Sequence, residues 1–146
     1  MVRLYWTLEI SHMHSKYKQA ELVMKEIYEA SEEVLRVIGP GLLESVYEQC
    51  LWHELELRGH SVEKEKRVIV DYKGHTFDHL LRADLIVDDC VVVELKSIEG
   101  NIRPEFRLQL LSYLKLLNLP LGMVVNFGAT GASRYKRVIL ANADVQ

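Results

Sequence analysis

The sequence predicts an α/β domain, a mixed β-sheet flanked by helices, with elements in the order ααβββαββ. Three observations predict it. Two segments with apolar residues at helical spacing precede Gly59, and three segments rich in β-branched residues follow it. A third helical segment then separates those strands from two final ones. At 146 residues, with 49% hydrophobic and 27% charged residues, the chain has the size and balance of one globular domain with a substantial core.

Residues 1–22 show no clean period and are expected to form a poorly specified N-terminal arm, leaving residues 23–146 as the single domain. Val23, Ile27, Ala30, Val34 and Ile38 make the first helical stripe, which stops at Gly39-Pro40-Gly41. The second helix carries Leu43, Val46, Tyr47, Cys50, Leu51 and Leu55 on one face, and Gly59 is placed to end it. "SVEKEKRVIVDY" alternates as a strand and "KGH" follows as a turn. "TFDHLLRADLIV" and "CVVVELKSI" make two more strands around Asp88-Asp89. "IEGNIRPEF" breaks the pattern, with Pro104 suited to a first helical position. The third helix turns Phe106, Leu110, Tyr113, Leu114 and Leu117 inward. "LGMVVNF" is expected to be a buried strand and "ASRYKRVIL" a more exposed last one.

No apolar run approaches the roughly 20 residues of a membrane helix. The first residues lack the apolar stretch and small-residue cleavage site of a secretory signal, so a cytoplasmic location is expected. Cys50 and Cys90 have no metal-ligand spacing and are expected to be reduced thiols in or near the core. The net charge of −3 is unevenly spread. From 101 to 146 six basic residues (Arg103, Arg107, Lys115, Arg134, Lys136, Arg137) face two acidic ones (Glu105, Asp144), a net of +4 that leaves −7 for residues 1–100. That division suits carboxylates for a metal beside cations for phosphate, and equally an ordinary surface.

"RADLIVDDCVVVELKS", residues 82–97, sets Arg82, Asp84, Glu94 and Lys96 among strand-forming apolar residues. A buried carboxylate is costly unless something compensates it. A two-residue loop at Asp88-Asp89 would place Asp84 and Glu94 on opposite faces of the sheet. An odd loop, three residues at 88–90 or five at 87–91, sets them directly opposite on one face, with Arg82 and Lys96 one step along. Asp-Asp lacks the glycine of tight two-residue turns, which favours the odd loop. Facing carboxylates repel, and a divalent cation such as Mg²⁺, which takes a couple of carboxylates plus waters and phosphate oxygens, removes the conflict. Pairing of Asp84 and Glu94 with Arg82 and Lys96 in a salt-bridge cluster is the alternative.

The spacing "D(84)LIVDDCVVVELK(96)" resembles the PD-(D/E)xK signature of restriction-endonuclease-like phosphodiesterases. "GLLESVYEQCL" matches G-x-x-E-x-x-Y as Gly41, Glu44 and Tyr47. With "RLQLLSYLKLLNLPLG" and "MVVNFG", the chain from about residue 25 to 140 is similar to the GxxExxY protein family of that nuclease superfamily. The resemblance implies a restriction-endonuclease-like core and a nuclease acting on nucleic acid, with DNA the first expectation. It implies that Asp84, Glu94 and the backbone carbonyl of Leu95 hold Mg²⁺ or Mn²⁺. Glu44 would complete the metal site from its helix, and Lys96 would position the attacking water. Gln109 and Tyr113 match a Q-x-x-x-Y element that supports the site or contacts nucleic acid. Ala83 stands where the signature's name has Pro, a position without chemistry. Many members dimerise to cut both strands, so the resemblance admits a homodimer. A catalytically inactive nucleic-acid-binding or protein-interaction module on the same fold is the alternative function.

Taken alone, these residues have plainer readings. Glu44 suits the first turn of a helix through the dipole. Gln109 and Tyr113 are an i,i+4 pair with Tyr113 a core aromatic, and Asn126 caps a strand or turn. Other candidates carry less. His12 and His14 lack a third zinc ligand, and His75 and His79 stand about 13 Å apart along an extended strand. "GATGAS" lacks the P-loop lysine.

Overall fold

The β-branched segments pair into one five-stranded sheet whose strands lie side by side in chain order, in a computed structural model that describes residues 14–141. The strands are β1 (Val62–Tyr72), β2 (His75–Val87), β3 (Val91–Lys96), β4 (Leu121–Asn126) and β5 (Tyr135–Ile139). The helices are α1 (Tyr17–Ile38), α2 (Glu44–Leu57) and α3 (Pro104–Leu117), so the element order is the expected one apart from a short 3-10 turn at Gly131–Arg134. β3 and β4 run parallel because α3 crosses between them, and the other neighbours are antiparallel hairpins. No helix among the described residues is long and apolar enough to cross a membrane.

Each sheet face has its own helical cover. Leu85, Val87, Val91, Val93, Leu95, Met123 and Val125 pack with Val23, Ile27 and Val34 of α1 and with Tyr47, Leu51 and Leu55 of α2. Ile86, Val92, Val124 and Val138 pack with Leu110, Tyr113 and Leu114 of α3. Cys90 is buried in the first layer and Cys50 packs partly against it, both as free thiols.

Two expectations need correction. α1 begins at Tyr17 rather than Val23, because the stripe runs back through the fully buried Ala20. No capping side chain or acidic first turn announces that start. Residues 1–13, with His12, lie outside the described residues, while the ring of His14 is taken up by Lys16 N–H and the Asn118 carbonyl. Leu43, which precedes α2, and Val46 within it are exposed, and Glu48 takes a place on the buried face instead.

β2 also changes partners midway. Leu81 and Ala83 pack in the α3 layer, yet Leu85 and Val87 pack in the other, although a period of two would put all four on one face. The change falls at Asp84. Between the β1–β2 pairs Lys64↔Leu85 and Lys66↔Ala83, Glu65 takes a φ of +50°, a left-handed conformation unusual for its type. The Glu65–Asp84 pair is accordingly missing from the ladder.

Candidate active site

The β2–β3 register, Leu85↔Val93 to Val87↔Val91, closes a turn at residues 88–90 and sets Asp84 opposite Glu94, as the odd loop requires. Asp88 and Asp89 both take positive φ, +50° and +52°. They are held from outside. Ser61 N–H donates to Asp88 Oδ1 (2.8 Å), His60 Nδ1 meets Asp88 Oδ2 (2.6 Å), and Lys16 pairs with Asp89 (2.7 Å). Beyond Leu85 and Val93, side chains take over from the ladder. Leu95 N–H donates to Asp84 Oδ2 (2.8 Å), and Asp84 N–H donates to Glu94 Oε1 (3.1 Å). Each carboxylate thereby satisfies a backbone amide that the strand pairing leaves free.

Electrostatically the pair is in conflict. Glu94 is buried, only 6% exposed, and Asp84 is half-buried. Burial pushes both carboxyls up, and the charge of Asp84 pushes Glu94 further. Backbone N–H bonds and the charge of Lys96 oppose these shifts without cancelling them. The salt-bridge alternative does not form. Among the described residues no ion pair reaches Asp84 or Glu94, and Arg82 bridges to Glu65 instead (3.3 Å). Lys96 Nζ sits over the ring of Phe106, 4.4 Å from its centre.

α2 delivers its carboxylates through the G-x-x-E-x-x-Y segment, whose spacing has a local cause. Gly41, at φ +92°, lets the chain turn into the helix. Tyr47 is fully buried and stacks on Phe127 at 4.4 Å. Its hydroxyl donates to the Gly39 carbonyl (2.8 Å) and accepts from Leu42 N–H (3.2 Å), clamping the turn. Glu44 is therefore presented from the first residue of α2. Burial raises its pKa, Lys96 lowers it and Asp84 raises it again, which places Glu44 in the field of both.

Glu48, one turn further along, escaped the sequence reading. It is buried beside Tyr47 with Oε1 unpartnered, and burial followed by the charge of Asp84 pushes it up to about 7. The unfolded chain ionises this carboxyl near pH 4.5 but the fold only near 7, so the fold loses stability as pH rises between those values. Glu48→Met is expected to stabilise the protein at pH 8 by about 1–2 kcal/mol and to flatten that pH dependence, with no gain at pH 4. Thermal melts across the range check it. An equal gain at both pH values would contradict it.

From the other face, Tyr113 is 4% exposed and accepts from exposed Gln109 Nε2 (3.3 Å), while burial and the charges of Glu94 and Asp84 push its hydroxyl up. Arg103 lies 5.8 Å from the Phe106 ring that also holds Lys96. Two other cations expected at phosphates are engaged elsewhere. Arg134 pairs with Glu32 of α1 (2.9 Å) and Arg137 pairs with Glu21 and Tyr17. Asn126 does more than cap a strand. Fully buried, it accepts from Ile98 N–H and Gly128 N–H (both 3.0 Å) and donates to the Ile98 and Gly100 carbonyls (3.1 and 3.2 Å). It fixes the segment that leaves β3 just after Lys96. Gly128 permits this closeness, since a Cβ there would lie 2.4 Å from the Ile98 carbonyl oxygen.

The structure thus brings Asp84, Glu94, Lys96, Glu44 and Tyr113 into one electrostatic neighbourhood, with Gln109 at its border. Hard oxygen donors around an uncompensated buried carboxyl pair suit a divalent cation. Among the described residues no three His, Cys, Asp or Glu side chains are already gathered to hold an ion unaided, so waters or phosphate oxygens would have to complete a shell. A family model described as the PD-(D/E)XK nuclease superfamily matches residues 21–138, which covers every one of these positions. No curated protein and no solved structure matches the chain.

Proposed function

The chain belongs to the PD-(D/E)XK nuclease superfamily, and on that premise we propose that it hydrolyses nucleic-acid phosphodiester bonds, DNA first among them, with Mg²⁺ or Mn²⁺. The observation that carries this is the Asp84–Glu94 pair, two carboxyls held together by backbone bonds with no cation of the described residues in ion-pair contact. Asp84, Glu94, the Leu95 carbonyl and Glu44 are the groups that would hold the ion. When bound, it would stabilise the charge developing on the scissile phosphate and make water a better nucleophile.

The remaining work falls to the chain's own side chains. Lys96, an ammonium steered by Phe106, donates hydrogen bonds that orient the attacking water and offset charge on the phosphate oxygens. The Gln109–Tyr113 pair braces the site from α3, and Arg103 and Arg107 at the start of that helix take flanking phosphates. The G-x-x-E-x-x-Y segment supports placement in the GxxExxY family within the superfamily.

Lys96→Ala is the direct test of the chemistry. With Mg²⁺ or Mn²⁺ and single- and double-stranded DNA and RNA, the variant is expected to lose about a hundredfold in kcat while still binding the cation. Unchanged cleavage would remove Lys96 from the mechanism. A second reading, a binding module without catalysis, draws on the absence of a preassembled three-ligand set among the described residues. It predicts oligonucleotide binding by the wild type without cleavage of any of these substrates.

A further inference from the structure

α2 opens with a residue that breaks the rules of helix starts. Leu43 occupies the N-cap, where Ser, Thr, Asp or Asn would satisfy a free amide and where an apolar residue forgoes about 1 kcal/mol. It makes no capping hydrogen bond and is 75% exposed. Leu42 at 39% and Val46 at 38% flank it, so three apolar side chains form one exposed ridge. The ridge is firmly mounted. Leu42 N–H is held by the Tyr47 hydroxyl (3.2 Å), and the Leu42 carbonyl accepts from Ser97 Oγ (2.9 Å). One end of the ridge is therefore tied to the residue after Lys96, and Leu43 immediately precedes Glu44.

We propose that Leu42, Leu43 and Val46 form a subsite for a nucleobase adjacent to the phosphodiester bond that is cut, an inference that rests on the phosphodiesterase reading above. A strand whose phosphate reaches Glu44 and Lys96 carries a base on either side of that phosphate, and the ridge adjoins Glu44 in the chain and is bonded to Ser97, the residue after Lys96. Duplex-binding proteins press Leu between base steps at the cost of unstacking them, a cost that an already unpaired base does not carry. Base faces are open in single strands, frayed ends and flaps and covered in a continuous duplex stack, so the ridge favours unpaired substrate next to the cut. A protein partner or second copy fits less well, since a stable interface needs about 800 Å² per partner, far more than three side chains offer.

Leu43→Ser is the informative variant, because Ser is a good N-cap and keeps the helix start intact. Binding of fluorescein-labelled single-stranded DNA, its RNA counterpart and a blunt duplex would be measured with Ca²⁺ in place of Mg²⁺, beside wild-type cleavage in Mg²⁺. The variant is expected to bind the single strands about tenfold more weakly, with a much smaller change for the duplex. The salt dependence should be unchanged because no phosphate contact is lost, and neither Ca²⁺ affinity nor melting temperature should fall. Equal binding by both proteins overturns the subsite, and wild-type cleavage in the same experiment would leave the phosphodiesterase reading standing. A loss that tracks Ca²⁺ affinity, melting temperature or a change in oligomeric state also overturns it. A wild type that neither binds nor cleaves any of these nucleic acids overturns both.

Discussion

Glu94→Gln is expected to lower cation-dependent cleavage by about a thousandfold while leaving the protein folded. The substitution is nearly isosteric, and the new amide carbonyl can still accept from Asp84 N–H, which Glu94 Oε1 accepts at 3.1 Å. What disappears is the negative charge. In the cation-free protein that charge is a burden, because burial and Asp84 both raise the pKa of Glu94. Protons are thus held by the fold at pH values where the unfolded chain has released them, and stability falls as pH rises above the ordinary carboxylate range. Glu94→Gln should therefore melt higher than the wild type at pH 8 in EDTA, and about equally at pH 4. Asp84→Asn should share the catalytic loss, since its Oδ2 holds the Leu95 amide at the same site. A Gln variant that still cleaves, or one that melts lower at pH 8 without cation, would show that the pair is structural.

The largest loss of stability is expected at Asn126. Its amide makes four hydrogen bonds in a fully buried setting, two as acceptor and two as donor. Asn126→Ala strands the amides of Ile98 and Gly128 and two carbonyls in a space too tight for a Cβ on Gly128. Each buried orphan costs on the order of 1–3 kcal/mol, and partial relaxation brings the total to about 3–4 kcal/mol. A fall in melting temperature of roughly 6–15 °C follows for a chain of this size. Asn126→Asp should be nearly as damaging, because it keeps the acceptor but loses both donors and buries a charge. Because the pinned segment follows Lys96, turnover should also drop at temperatures where the variants remain folded. Tolerance of Asp with wild-type melting would mean the donor bonds contribute little.

Much of the fold was legible because local patterns carried it. The switch from helical to β-branched segments marked the element order, and Pro104 marked the start of α3. The Asp84–Glu94 register was legible from a missing glycine in the turn. What could not be read locally was where charged side chains end up. Arg134 and Arg137 looked free in a basic segment, yet their partners lie on α1, over a hundred residues earlier in the chain. Glu48 went unread because a carboxylate is seldom assigned to a buried helix face. Leu43 and Val46 looked like core because they sit four residues before Tyr47 and Cys50 respectively. The chain enters α2 at Leu43, however, and the ridge turns outward. Asn126 was ambiguous, since its bonds depend on a backbone segment that only the parallel β3–β4 pairing brings beside it.

Calorimetric titration of Mg²⁺ and Mn²⁺ into the wild type and an Asp84→Asn/Glu94→Gln double variant tests the central claim most directly. The expected result is saturable binding by the wild type, strengthened by an oligonucleotide and abolished in the double variant. Absence of cation binding by the wild type, with and without nucleic acid, would contradict it.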